Sequence, residues 1–179
     1  QEVVAIARRN LMTRDITLNA VRRCLTELVV NFPVYRTYIT TMGRHYPQDR
    51  EYFHHAYEQA KTALAETDWP VLDNLNLWLG GEPLCKLPVG EERQLRKKAT
   101  ARVQQLTSPT AAKAVEDTAC YRSAILLSRN DVGFNPHKFS QTVNDFHHQQ
   151  LTRSQEFSNN LLLTASHDHK RGEDTRARI

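Results

Sequence analysis

Leu161-Leu162-Leu163-Thr164-Ala165-Ser166-His167-Asp168-His169-Lys170-Arg171-Gly172-Glu173-Asp174-Thr175-Arg176-Ala177-Arg178-Ile179 closes the chain, and its reading decides the rest. Three leucines run into a dense set of ionisable groups, the pattern of a short strand delivering side chains to a site. In a β/α barrel, catalytic groups sit at the C-terminal ends of strands. His167 and His169 share one side of an extended segment, because strand side chains alternate with period two. Three readings fit this stretch: a carbohydrate or phosphate site, a solvated surface turn, and a metal site. The metal reading lacks a third ligand at telling spacing. Glu173 and Asp174 then open a helix, since acids in a first turn complement the helix dipole.

Working back from the tail, the chain reads as mostly helical. Val3, Val4, Ile6, Ala7 and Leu11 suggest a short first helix. Asp15-Ile16-Thr17 is a start signal, and Leu18, Val21, Leu25, Leu28 and Val29 recur at helical spacing to about Asn31. Phe32-Pro33 breaks that helix, since proline cannot continue it. Val34 to Thr40 is rich in β-branched and aromatic residues and reads as extended. Asp49 is placed to cap a helix running to Leu64. Val71 to Leu79 reads as a helix stopped by Gly80-Gly81, and Glu91 to Leu106 as a long charged helix. Ser108-Pro109 looks like a fresh helix start with proline in its first turn. Lys113 to Leu127 reads as helical in part, Asp131 to Pro136 as a loop, and Ser140 to Leu151 as helix. Two short extended pieces cannot build a sheet of any size.

Composition sets wide bounds. The chain has 179 residues, 40% hydrophobic and 25% charged, with a formal net charge of +4. That is enough for one sizeable core, or one domain and an appendage. The densest basic cluster, Arg93, Arg96, Lys97, Lys98 and Arg102, follows Glu91 and Glu92 and reads as a solvated helix face. It makes no case for a nucleic-acid partner. Cys24, Cys85 and Cys120 form neither a zinc spacing nor a disulfide framework; reduced thiols point to the cytoplasm. No apolar stretch reaches membrane-spanning length. Gln1 opens directly into helix and Ile179 falls inside one, so both ends read as cuts within a longer protein.

Three segments carry candidate chemistry. In Lys113-Ala114-Val115-Glu116-Asp117-Thr118-Ala119-Cys120-Tyr121-Arg122, the adjacent acids point to different helix faces, and Lys113 with Asp117 makes an i,i+4 ion pair. In Phe32 to Tyr38, Tyr35 and Arg36 suit either a sugar-stacking surface or a half-buried edge strand. The third is the tail. The pairs His54-His55 and His147-His148 read as surface residues.

These segments, in this order, resemble the malto-oligosyltrehalose synthases of the α-amylase superfamily (glycoside hydrolase family 13). The family pattern reads FPVYRTY, GPVMAKGVEDTAFYRY, LNEVGG-P and ATSTHDTKRSEDVRARI. It matches Phe32 to Tyr38, Ser108 to Arg122, Asn130 to Gly133, and Leu163 to Ile179. Departures include Ser108, Thr110, Ala111, Ala114, Cys120 and His169. The resemblance implies the helical insertion of a (β/α)8-barrel enzyme, mostly α here, with one or two short barrel-derived extended segments. The implied divisions are a helical segment at 1–31, an extended segment at 32–40, a helical insertion at 41–160, and a barrel strand with the start of the next helix at 161–179.

The resemblance further implies an intramolecular transglucosylation. The reducing-end α-1,4 linkage of a malto-oligosaccharide becomes an α,α-1,1 trehalose linkage, through a covalent glycosyl-enzyme and an oxocarbenium-like transition state. Asp168 takes the place of the carboxylate that stabilises that transition state. His167, Lys170, Arg171, Lys113, Glu116, Asp117, Tyr121, Arg122, Tyr35 and Arg36 are the expected sugar-binding residues. No cofactor or metal is implied. The partners are malto-oligosaccharides and the remainder of the parent barrel. Nucleophile and general acid fall upstream of Gln1, so the isolated chain is expected to be inactive. Two other readings compete: an autonomous helical glycan- or protein-binding domain, and a related α-glucan hydrolase or transferase.

Overall fold

The computed structural model describes residues 1–40, 46–123, 125–135, 137–166 and 168–179. Its packing divides the chain once, into Gln1–Ala112 and Lys113–Ile179.

In the first unit, α1 (Glu2–Ala7), α2 (Leu18–Val30), α3 (Pro47–Ala63) and α4 (Trp69–Asn76) lead to α5 (Glu91–Ala114), whose last residues pass the division. Of the expected α2 stripe, Val21 and Leu28 are buried and Leu25 and Val29 half-buried, while Leu18 is exposed and Cys24, outside that stripe, is buried. Thr17 caps the helix by accepting the Ala20 N–H at 3.2 Å. Phe53, Ala56 and Ala60 of α3 meet the buried α2 residues, with Leu72 and Leu75 of α4 fully enclosed. The first helix stops at Ala7, short of Leu11, because the Thr13 hydroxyl takes the Ala7 carbonyl at 2.7 Å.

Several local expectations need correction. Asp49 does not cap α3. Tyr46 holds that position with Pro47 following, while buried Asp49 accepts the Tyr38 N–H at 3.0 Å. Gly80-Gly81 does not simply stop a helix. From Leu77 to Gly81 the chain widens into a π turn, closed by the Glu82 N–H on the Leu77 carbonyl at 3.2 Å. Gly80 serves a close approach: a Cβ there would meet the Phe53 ring at 2.4 Å, and Phe53 is 4% exposed. Gly80→Ala is therefore expected to cost about 1–3 kcal/mol through overpacking, read as a lower urea midpoint with unchanged slope. An unchanged midpoint would show that the ring has room to move.

The extended segment at 34–40 forms no strand, although its backbone is held as one would be. The Gln104 side-chain amide of α5 accepts the Ile39 N–H at 2.6 Å and donates to the Ile39 carbonyl at 3.2 Å. One buried amide thus takes the place of a neighbouring strand, satisfying backbone groups that are costly to leave unpaired. Arg96 does not lie on a solvated face. It is 2% exposed, on the same inward face as Thr100, Gln104 and Thr107. Nor does a new helix begin at Ser108. α5 runs through Pro109, which removes one backbone bond, while the Thr110 hydroxyl bonds the Leu106 carbonyl at 2.7 Å.

The second unit continues α5 as a π turn over Val115–Ala119, followed by α6 (Cys120–Arg122), a 3-10 turn at Leu127–Arg129, α7 (Val143–Glu156) and α8 (Glu173–Arg178). α7 starts at Val143 rather than Ser140 because Thr142 caps it, accepting the Asp145 N–H at 3.1 Å. Among the described residues of this unit only Cys120, Asn130 and Asp131 are buried. Leu161, Leu162 and Leu163 form no strand and are 85, 68 and 71% exposed. A strand is held by ladder bonds to a neighbour, and the described residues supply no sheet.

Candidate functional site

The second unit brings together residues more than 50 positions apart. As the i,i+4 spacing predicts, the Lys113 ammonium reaches Asp117 Oδ2 at 2.6 Å. A second lysine joins from the tail, with Lys170 Nζ on Asp117 Oδ1 at 2.8 Å. Asp117 therefore bridges the two expected sugar-binding lysines. Hydrogen bonds from Lys113 and then Lys170 hold its carboxyl down at about 2, and Asp117 in turn raises Lys170.

The sign of the resulting pH dependence is fixed by that depression. An acid whose folded-state pKa is lowered contributes its stabilisation above its ordinary range, and loses it as pH falls through the folded value. The two-lysine tie is thus expected to persist at about pH 4 and to open as pH drops towards 2. A carboxyl NMR titration of Asp117 checks this, and a midpoint at the ordinary carboxylate value would refute it.

Beside this triad lies a polar knot built on the Asn130–Gly133 motif, whose residues were not among the expected sugar-binding ones. Asp131 Oδ1 accepts the N–H groups of Val132 at 2.7 Å and Lys170 at 3.0 Å; Oδ2 accepts that of Arg171 at 3.2 Å. Burial pushes the Asp131 carboxyl up, but the three backbone donors outweigh it and the net shift is downward. Arg171 Nη1 donates to the Asn130 carbonyl at 2.9 Å. The Asn130 amide donates to the carbonyls of Ser123 at 2.7 Å and Cys120 at 3.3 Å. Gly133, at φ +83°, adopts a conformation that favours glycine, and its N–H reaches Glu116 Oε1 at 3.3 Å. The available signal was Asn130-Asp131-Val132-Gly133 itself, turn chemistry with short side chains able to bond nearby backbone.

Asp168 lies on an exposed turn two residues before Lys170, and its charge and that of Tyr121 both raise the Lys170 ammonium. Tyr121 and Arg122 are exposed. His167 lies outside the described residues. His169 Nδ1 accepts the Ser166 N–H at 2.7 Å, so its proton sits on Nε2 when the ring is neutral. Tyr35 and Arg36 belong to the first unit, where the Arg36 guanidinium lies 4.6 Å over the Tyr38 ring.

The departures are accommodated locally. Ala114 is right-handed helical at φ −70° and ψ −48°, so no glycine freedom is used there. The Cys120 thiol is buried, and burial, then Glu116 and Asp131, pushes it up; it stays a protonated packing residue. No group of three or more His, Cys, Asp or Glu suited to a metal ion occurs among the described residues. Among those residues, no helix is long and apolar enough to cross a membrane.

No family model matches the chain. It is 46% identical over 78 residues to curated proteins named putative maltooligosyl trehalose synthase, from two strains of Mycobacterium tuberculosis. The match takes in 44% of this chain and 10% of those relatives. A solved structure of a mutant of maltooligosyltrehalose synthase from Arthrobacter ramosus superposes with a TM-score of 0.71 at 30% identity, over 99% of this chain. The chain spans about a fifth of that protein, 20%. The resemblance read from the four motifs is borne out by these relatives.

Proposed function

We propose that the chain is part of a maltooligosyltrehalose synthase, contributing one wall of the sugar site and the carboxylate Asp168. The observation that carries this reading is the likeness to the Arthrobacter ramosus structure, 30% identical over 99% of the chain. The geometry of the second unit supports it. An ammonium has three N–H donors, so Lys113 and Lys170 keep donors for sugar hydroxyls while Asp117 fixes their direction. Asp168 supplies negative charge where positive charge develops at the anomeric carbon, without itself bonding to it. Nucleophile and general acid come from the rest of the parent barrel.

That barrel also gives the second unit its missing cover. Val143, Phe146 and Leu151 of α7 are 71, 47 and 57% exposed, and leucines 161–163 are bare as well. Apolar side chains exposed together suit a surface that packs against further protein.

The test uses the full-length protein with maltohexaose, following reducing ends and free glucose. A synthase removes reducing ends without releasing glucose. Glucose release shifts the reading to a hydrolase of the same superfamily. No conversion, with binding retained, favours the helical glycan-binding domain. The isolated 179-residue chain is expected to be silent, and trehalose formation by it would overturn the division of labour.

A further inference from the structure

We infer that Asp131 is a positioning residue for the turn that carries Asp168 and Lys170, an inference that rests on the function proposed above. Among the described residues, the hydrogen-bond partners of the Asp131 carboxylate are backbone N–H groups rather than the side chains of expected sugar-binding residues. What it holds is backbone: the consecutive N–H groups of Lys170 and Arg171, at 3.0 and 3.2 Å, 39 and 40 residues further along the chain. Those amides begin two residues after Asp168. With Asn130 bonding Ser123 and Cys120 on its other side, the pair ties the end of the Lys113–Arg122 segment to the tail.

Two further facts favour a positioning role over general stability. Asn130 and Asp131 are 3 and 5% exposed in a unit whose described helices α7 and α8 bury no residue. Beside Cys120, the buried residues described there are thus polar and adjoin the expected site, where apolar residues would serve a core better. The lysine triad adds a second tether from the side: Asp117 takes the Lys170 ammonium at 2.8 Å while Asp131 takes its backbone. Side chain and main chain of one residue are fixed by different carboxylates, which leaves the turn little freedom. Reacting groups need such fixing, since a displacement of about 1 Å can cost about 100-fold in rate.

A carboxylate is required because both oxygens must accept. In Asp131→Asn one oxygen becomes an NH2 group, a donor facing an N–H donor. Asp131→Glu keeps both acceptors on a longer arm. In the full-length protein, Asp131→Asn is expected to speed amide exchange at Lys170 and Arg171 by about tenfold or more. It is expected to lower kcat on maltohexaose about 100-fold and to leave KM within about threefold. Asp131→Glu is expected to recover part of both losses.

Unchanged exchange at the two amides overturns the inference, as does faster exchange with kcat untouched. Faster exchange throughout residues 113–179, with no recovery in Asp131→Glu, marks a purely structural residue and also overturns it. If the wild-type protein leaves maltohexaose unconverted, the function reading falls on its own. Local exchange at Lys170 and Arg171 then still decides whether Asp131 holds the turn, local acceleration upholding the inference and none overturning it.

Discussion

Asp168→Asn in the full-length protein is expected to lower kcat on maltohexaose by about 1,000-fold, with KM little changed. The substitution keeps the side chain's size and removes its charge. The substrate's ground state is neutral at the anomeric carbon, so the lost carboxylate matters little to binding. Positive charge appears there only in the transition state. An interaction made only in the transition state lowers kcat and kcat/KM together when removed. Preorganised electrostatic groups of this kind are worth about 100- to 1,000-fold each. Asp145→Asn, an exposed acid in the first turn of α7, is the control and is expected to leave turnover intact. Equal activity of Asp168→Asn and the control would remove Asp168 from the mechanism. It would leave the chain as a relative that kept the fold and changed its chemistry.

What could be read in the sequence was local. The helical spacing of Val21, Leu25 and Leu28, the Thr17 cap and the Lys113–Asp117 pair each depend on residues within four positions, and each is present. What could not be read depends on a partner far along the chain. Val34 to Thr40 reads as extended for sound reasons of composition. No pattern says that its partner is one side-chain amide, Gln104, instead of a strand. Lys170 joins Asp117 from 53 residues away, and Asp131 reaches backbone groups that carry no sequence signal. The expected strand at Leu161 fails for the same reason in reverse: a short apolar run does not supply a neighbour. The functional reading rests chiefly on the four motifs, while charge and composition make no case for a nucleic-acid partner and name no substrate.

Arg96 shows the limit most sharply, and it carries the largest expected effect on stability. In the sequence it is one of five basic residues on a charged helix, indistinguishable from Arg93 or Lys97. In the fold it is 2% exposed, with Nη1 on Glu82 Oε2 at 2.9 Å and Nη2 on the Leu77 carbonyl at 3.0 Å. That carbonyl already accepts the Glu82 N–H that closes the π turn, so one guanidinium braces both ends of the turn. Arg96→Ala removes the brace, strands the Glu82 carboxylate and opens a void. Breaking a buried pair from one side costs about 3–5 kcal/mol. The Glu82 side chain is 33% exposed, so part of its charge is recovered by water and the lower end of that range is expected. Replacing the buried charge by a long apolar chain, Arg96→Met with Glu82→Gln, keeps the volume and strands no charge, and should cost much less. Urea unfolding of both variants separates the two ideas. If Arg96→Ala and the double variant lose equal stability, neither the void nor the stranded charge carries the cost, and the lost guanidinium hydrogen bonds to Glu82 and the Leu77 carbonyl do. If Arg96→Ala loses under about 1 kcal/mol, well below the cost of breaking a buried pair, the residue is not the brace that its contacts describe.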